Sequence, residues 1–272
     1  MRKPQSRRIG QSLRIGVAAN GLALVKHSRM FGSAPLALAE QPLDLFAPDA
    51  LAPGLRMLFS DLPLAGWPVS VVLADDLMRL WQVAPPSGAT RMSDLEAAAT
   101  LRFGHLFGAN AAEWRISADW DAGKPFLAAA APVVLLEQLQ AAAQEHRFHL
   151  VETVPHFVAA LNGWRRERRP GAWFGQVHAG VLTLAAYEGR ALAAVRTAVI
   201  PAGADRDWFE AHVAREALRV GIARPERVQL CGAAPSNWAS SPGRLKFACS
   251  LLETGDDGWS ELARLARSGS AA

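Results

Sequence analysis

LRIGVAANGLALVKH, running from Leu13 to His27, decides the fold. It reads as two apolar strands joined by a tight turn at Asn20-Gly21, a dipeptide suited to a type I′ hairpin because it tolerates positive φ. The same shape returns in AWFGQVHAGVLTLAA, from Ala172 to Ala186, with its turn at Ala179-Gly180. Neither turn contains Asp or Glu. The hairpin occurs twice, and both times without acidic chemistry.

Outward from the first hairpin, with strands expected at 12–19 and 21–28, a Pro-rich irregular stretch runs from Pro35 to Pro53 and contains a short helix over Asp49–Phe59. Val69–Ala74 is a compact apolar strand, Met78–Val83 alternates at strand period, and Asp75-Asp76 makes the turn between them. Ser93 and Glu96 have capping-box spacing, each side chain able to satisfy an orphan backbone donor, which predicts a helix to Phe107 closed by Gly108. Glu113–Trp120 and Pro125–Ala130 form an antiparallel pair. Pro132 opens a helix to Glu145, Phe148–Val154 is a strand, and Pro155 opens a helix with Phe157, Ala160, Leu161 and Trp164 on one face.

Pro170-Gly171 marks a boundary. Beyond it come strands at 172–178, 181–187 and 190–199, then a helix capped by Asp207 with Glu210 and closed at Gly221. Arg227–Cys231 and Leu245–Leu251 are strands, and a short helix starts near Trp259. Each half thus opens on a hairpin and continues with alternating helices and strands.

The chain of 272 residues suits one large or two medium domains with ample core. Its net charge of +4 is concentrated in a basic start (Arg2, Lys3, Arg7, Arg8, Arg14) and in the run Arg165–Arg169. Neither stretch interleaves basic residues with exposed aromatics along one element, which argues against a nucleic-acid partner. The run reads either as a solvated helix end or as a dock for acidic lipid or an acidic partner segment. No apolar run is long enough to span a membrane, and no signal peptide follows Arg14, so cytoplasm is the expected compartment. Cys231 and Cys249 lie in apolar strands, as buried reduced thiols.

Several phrases resemble the actin-like ATPase superfamily, and within it the degenerate branch of type IV pilus and type II secretion machines, the PilM, MshI and GspL cytoplasmic domains. Arg14-Ile-Gly-Val-Ala-Ala-Asn-Gly, Val69 through Arg79, Phe103 through Gly108, Pro155 through Asn162, the second hairpin and Val228-Gln-Leu-Cys-Gly232 carry the likeness. It implies an α/β fold of the actin-like, duplicated ribonuclease H-like kind, with two lobes built on mixed sheets. The expected spans are a basic tail at 1–11, a first lobe at 12–168, a second at 169–267 and a flexible tail at 268–272.

The resemblance also says what is missing. Where active members have an acidic residue in the first hairpin, this chain has Ala18, followed by Asn20 and Gly21. Where the second hairpin normally has Asp-x-Gly, it has Gln176, His178 and Gly180. The adenosine-side glycines are reduced to Gly232. Magnesium beside a triphosphate needs carboxylate and water oxygens, and phosphoryl transfer needs neutralised charge. The expectation is therefore no cofactor, no metal, no catalytic residue and no enzyme activity. The resemblance further implies a scaffold peripheral to the inner membrane, holding a short segment of a PilN-like partner and touching a motor ATPase. The alternative is an active ATPase or small-molecule kinase of the same fold with an altered nucleotide site.

His146 and His149, three apart, read as surface histidines because no acidic or thiol cluster joins them. The pairs Asp75-Asp76 and Asp256-Asp257 sit in expected turns and carry no acid–base role. Trp67 and Trp238, in expected loops, are the better candidates among the tryptophans for a contact surface, although packing at the edge of the core is the commoner fate of Trp.

Overall fold

The computed structural model describes residues 10–28, 34–47, 49–239, 247–253 and 258–268. Thirteen strands and six helices are formed among them. In the first third these are β1 (Gln11–Ala18), β2 (Gly21–Ser28), β3 (Leu36–Pro42), α1 (Leu51–Phe59), β4 (Pro68–Leu73) and β5 (Arg79–Val83). The middle holds α2 (Met92–Phe107), β6 (Trp114–Ala118), β7 (Phe126–Pro132), α3 (Val133–His146), β8 (His149–Pro155) and α4 (His156–Gly163). Last come β9 (Trp173–His178), β10 (Val181–Glu188), β11 (Ala191–Val199), α5 (Arg206–Val220), β12 (Arg227–Gly232), β13 (Ala248–Leu251) and α6 (Glu261–Arg267).

Two five-stranded mixed sheets have the same internal order, β3-β2-β1-β4-β8 and β11-β10-β9-β12-β13. In each, an antiparallel hairpin is extended by strands parallel to its first member. The third sheet, β5-β7-β6, packs Trp81, Val83, Phe126 and Ala128 against Leu95, Ala99 and Phe103 of α2.

Packing divides the elements into two compact units. One contains the first five-stranded sheet with α1, α3, α4 and α6. The other contains the second five-stranded sheet with α5, together with the three-stranded sheet and α2. Within this second unit, Gln82 of β5 donates its side-chain amide to the Leu192 carbonyl of β11. Sequence order, which expected spans of 12–168 and 169–267, does not describe that grouping. The last helix of the chain packs on β1 and β2, because small residues on that sheet face leave room for it.

Several local readings are corrected. The Pro-rich stretch contains β3, an edge strand paired antiparallel with β2, between the helix-disfavouring Pro35 and Pro42. Helix α2 starts one residue before Ser93, and its cap is the Asp94 carboxylate, which accepts from the backbone amides of Arg91 and Thr90. Helix α5 is capped by Asp205, which accepts from Trp208 N–H at 2.9 Å, instead of by Asp207. Gly108 and Gly221 close α2 and α5 in left-handed geometry as expected.

Trp67 and Trp238 take the core-packing alternative and form no contact surface. Trp238 is fully buried, its ring lies parallel to Phe209 with centroids 4.5 Å apart, and its Nε1 donates to the Ala204 carbonyl at 3.2 Å. Pairing the indole N–H removes the desolvation cost that would favour exposure. Asp256-Asp257 lies outside the described residues.

Candidate functional site: two hairpins

The β1–β2 hairpin pairs Ala18 with Gly21, so its two-residue turn is Ala19-Asn20 and not Asn20-Gly21. Neither turn residue has positive φ, and the expected type I′ turn is absent. Gly21 is required for another reason. A Cβ there would lie 2.7 Å from Leu262 Cδ1 and 3.0 Å from the Gln41 carbonyl oxygen. On the same sheet face, a Cβ at Gly16 would lie 2.8 Å from Ala266 N and 3.1 Å from the Leu262 oxygen. Helix α6 therefore presses its backbone directly onto the hairpin.

Ala18, where the resemblance led us to look for an acidic residue, is 1% exposed. It packs in an apolar cluster with Val72, Ala74, Ala159 and Leu265. Ala23 and Val25 extend this lining toward Ala263 and Ala266. Ser260 fixes the start of α6, accepting from Ala263 N–H at 3.0 Å and donating to Glu40 Oε1 at 2.7 Å. Arg14 Nη1 donates to the Ser268 carbonyl at its end at 2.5 Å. The mouth of the first hairpin is filled with hydrocarbon.

Nearby in this unit, Asp75 is buried, and its Oδ1 accepts from Phe157 N–H at 2.9 Å at the start of α4. The carboxylate caps a helix N-terminus, where the exposed amides and the dipole both favour negative charge. Sequence reading assigned Asp75 only to a turn, since its amide partner lies 82 residues away.

The β9–β10 hairpin has the turn expected of it. Ala179 and Gly180 sit at φ 47° and 72°, the left-handed pair of a type I′ turn, between the paired His178 and Val181. Trp173, Val177, Leu182 and Leu184 face the core beneath α5. The opposite face carries Gln176, His178, Thr183, Gln229 and Cys231, all buried. Gln176 Nε2 donates to the Val177 carbonyl at 3.2 Å, and the hydroxyls of Thr183 and Thr197 meet at 3.3 Å.

Gly232 ends β12 at φ 79°, and a Cβ there would collide with the Val177 carbonyl oxygen and come within 3.3 Å of Gln176 Nε2. The structure thus brings Gln176, His178 and Gly232 together around the end of β9. Gly180 projects into open space. No cluster of His, Cys, Asp or Glu with metal-binding geometry exists among the described residues. His146 makes an edge contact with Phe59 at 5.0 Å, while His149 is exposed on β8. Both cysteines are buried, and burial pushes the Cys249 thiol up to about 12, leaving it protonated and unreactive at neutral pH.

Two mixed sheets of identical strand order, each opened by a hairpin, make an actin-like fold. Solved structures agree. The chain superposes on the PilM–PilN type IV pilus biogenesis complex with a TM-score of 0.60 at 15% identity, covering 96% of this chain and 95% of that one. Against the cytoplasmic domain of EpsL, an inner-membrane component of the type II secretion system of Vibrio cholerae, the TM-score is 0.56 at 12% identity, covering 94% and 92%. A Bacteroides thetaiotaomicron protein of actin-like ATPase fold and unknown function gives 0.61 at 10% identity, covering 89% and 91%. No family model and no curated protein matches the sequence. Among the described residues no helix is long and apolar enough to cross a membrane.

Proposed function

We propose that this chain is a non-catalytic actin-like scaffold of a type IV pilus or related secretion machine. It acts in the cytoplasm at the inner membrane and holds a short segment of a PilN-like inner-membrane partner, in reach of the assembly motor. The observation that carries the loss of catalysis is Ala18. Its position is both uncharged and packed among Val72, Ala74, Ala159 and Leu265, so the first hairpin offers no carboxylate for a divalent ion. Gln176 and His178 replace acidic groups in the second hairpin. The scaffold role is supported by near-complete superposition on two assembly components, with over nine-tenths of each chain covered.

Two measurements test this. Incubation of the purified chain with ATP and magnesium should release no phosphate above background; metal-dependent turnover would favour the kinase or ATPase alternative. Calorimetric titration with the N-terminal cytoplasmic peptide of a PilN-like inner-membrane protein from the same organism should show saturable binding. Silence in that titration, with the chain folded, would defeat the scaffold reading.

A further inference from the structure

The arginine run is a feature of the sequence that this function leaves unused. Arg165, Arg166 and Arg169 are exposed, just beyond the end of α4. The segment is held in place and does not project as a loose helix end. Arg169 N–H donates to Gln229 Oε1 at 2.7 Å, and Gln229 Nε2 returns a bond to the Glu167 carbonyl at 3.1 Å. Arg168 lies over the rings of Tyr187 and Phe174, at 5.3 and 5.7 Å from their centroids.

Two more arginines arrive at the same end of the β9–β12 sheet from elsewhere. Val228 pairs with Trp173, which sets Arg227 level with Ala172, three residues past Arg169. The Gly189 carbonyl of the β10–β11 turn comes within 3.6 Å of a Cβ built on Gly171, so Arg190 borders the same edge. Glu167, Glu188 and Glu226 are the acidic neighbours. Six arginines against three glutamates leave an excess of three positive charges on one end of one unit. None of the six arginines forms an ion pair among the described residues.

We infer that this end of the second sheet is a docking surface for anionic phospholipid headgroups. The inference deepens the proposed function and rests on its placement at the membrane. A bilayer fits better than a peptide because the charges come from three separated segments at the edge of a sheet. None of these arginines lines the cavity of about 440 Å³ between β5 and α2 around Gln82, Leu101 and His105. Arginines near an anionic leaflet each strengthen attachment about fivefold, and the attraction fades within a Debye length of about 8 Å at physiological salt. An excess of three gives weak, reversible attachment that is measurable at high lipid concentration and is suited to orienting a protein already tethered by a partner.

The test is co-sedimentation of the full chain with vesicles of phosphatidylcholine alone and with one third phosphatidylglycerol. Expected are binding to the anionic vesicles only, release by added salt, and about a hundredfold loss in R165Q/R166Q/R169Q. R91Q/R102Q/R115Q, equal in charge and in the same unit, should bind as wild type. R165Q and R190Q singly should each lose about fivefold, so the result does not hang on one multiple variant. Equal binding to both vesicle types would overturn the inference. So would wild-type binding by the triple variant while R2Q/K3Q/R7Q/R8Q loses it, or capture of soluble polyglutamate in preference to vesicles. A chain that binds the partner peptide but ignores anionic vesicles sinks this inference and leaves the scaffold function standing.

Discussion

The β1–β2 hairpin buries its second face under a helix, whereas the β9–β10 hairpin lines the equivalent face with polar side chains. Their registers match: Val17 opposite Leu22 and Val177 opposite Leu182 point to the outer cores, while Ala18–Gly21 and His178–Val181 close the turns. On the first, Gly16, Ala18, Gly21 and Ala23 are all small, and α6 lies directly on them. On the second, Gln176, His178 and Thr183 stand at the corresponding positions. One backbone device thus carries two linings, neither with a carboxylate: the first is ordinary hydrophobic core, and the second has hydrogen-bonding capacity. Charge is expelled from packed hydrocarbon by desolvation but tolerated where neighbouring hydroxyls and amides can reorient.

The sharpest way to break this comparison is to place an acid at both hairpins. Ala18→Asp puts a carboxylate among Val72, Ala74, Ala159 and Leu265. The cost should be about 4 kcal/mol, as for an uncompensated buried charge. Gln176→Glu, on the polar face, should cost about half as much, because polar groups are already there to reorient. Chemical denaturation of the two variants checks the ratio. Equal losses would show that the two faces are equally hostile to charge.

Next in size is the close approach of α6. Gly16→Val drives a side chain into the backbone of Ala266 and Leu262, so the helix must move off the sheet. A loss of about 3 kcal/mol is expected, together with proteolytic cleavage near Ser260, since overpacking here also uncovers Leu265 and Ala266. Gly180→Ala meets no atom within 4 Å and should leave the C-terminal segment protected. Resistance of Gly16→Val to cleavage would mean that α6 contributes little to the first unit.

These two hairpins also mark how far the sequence could be read. Strand period and turn chemistry are local, and they located both hairpins, the parallel strands after them and the glycine closures of α2 and α5. What covers a face is not local. Nothing around Gly16 announces that Leu262 and Ala266, some 250 residues later, will lie upon it. Asn20-Gly21 looked like a turn because of its composition, yet packing against α6 and β3 had fixed Gly21 in a strand. The polar neighbours of Trp238 leave contact surface and core edge both open, and it is stacking on Phe209 and a bond to Ala204 that bury it. Conversely, the absence of acid from both turns was legible at once, because a missing charge needs no partner to be seen.

A pH experiment sharpens the contrast within the second unit. His212 of α5 is buried beside the stacked Trp208 ring, 5.1 Å away, and burial lowers its pKa. Glu216 opposes that shift, while Arg215 and Arg219 add to it. Because the unfolded chain binds a proton more readily, the stability is fully present above the unfolded value of about 6.5 and is lost as pH falls through the folded value. The slope for one proton is at most about 1.4 kcal/mol per pH unit. His212→Phe should flatten the acid side of the stability profile measured by thermal melts; an unchanged profile would remove His212 as its source.

The smallest effect separates the two turns themselves. Ala19 and Asn20 turn the first hairpin without positive φ, but Ala179 turns the second at φ 47°, where its Cβ crowds the following carbonyl. Asn tolerates that region better than Ala, so Ala179→Asn should raise stability by about 0.5 to 1 kcal/mol. Ala19→Asn, in a turn with no such strain, should change nothing measurable. Matching denaturation curves for the two variants would place the strain elsewhere. A gain at Ala179 alone would show that the second hairpin keeps a costly turn where the first has relaxed, in step with the polar face it still presents.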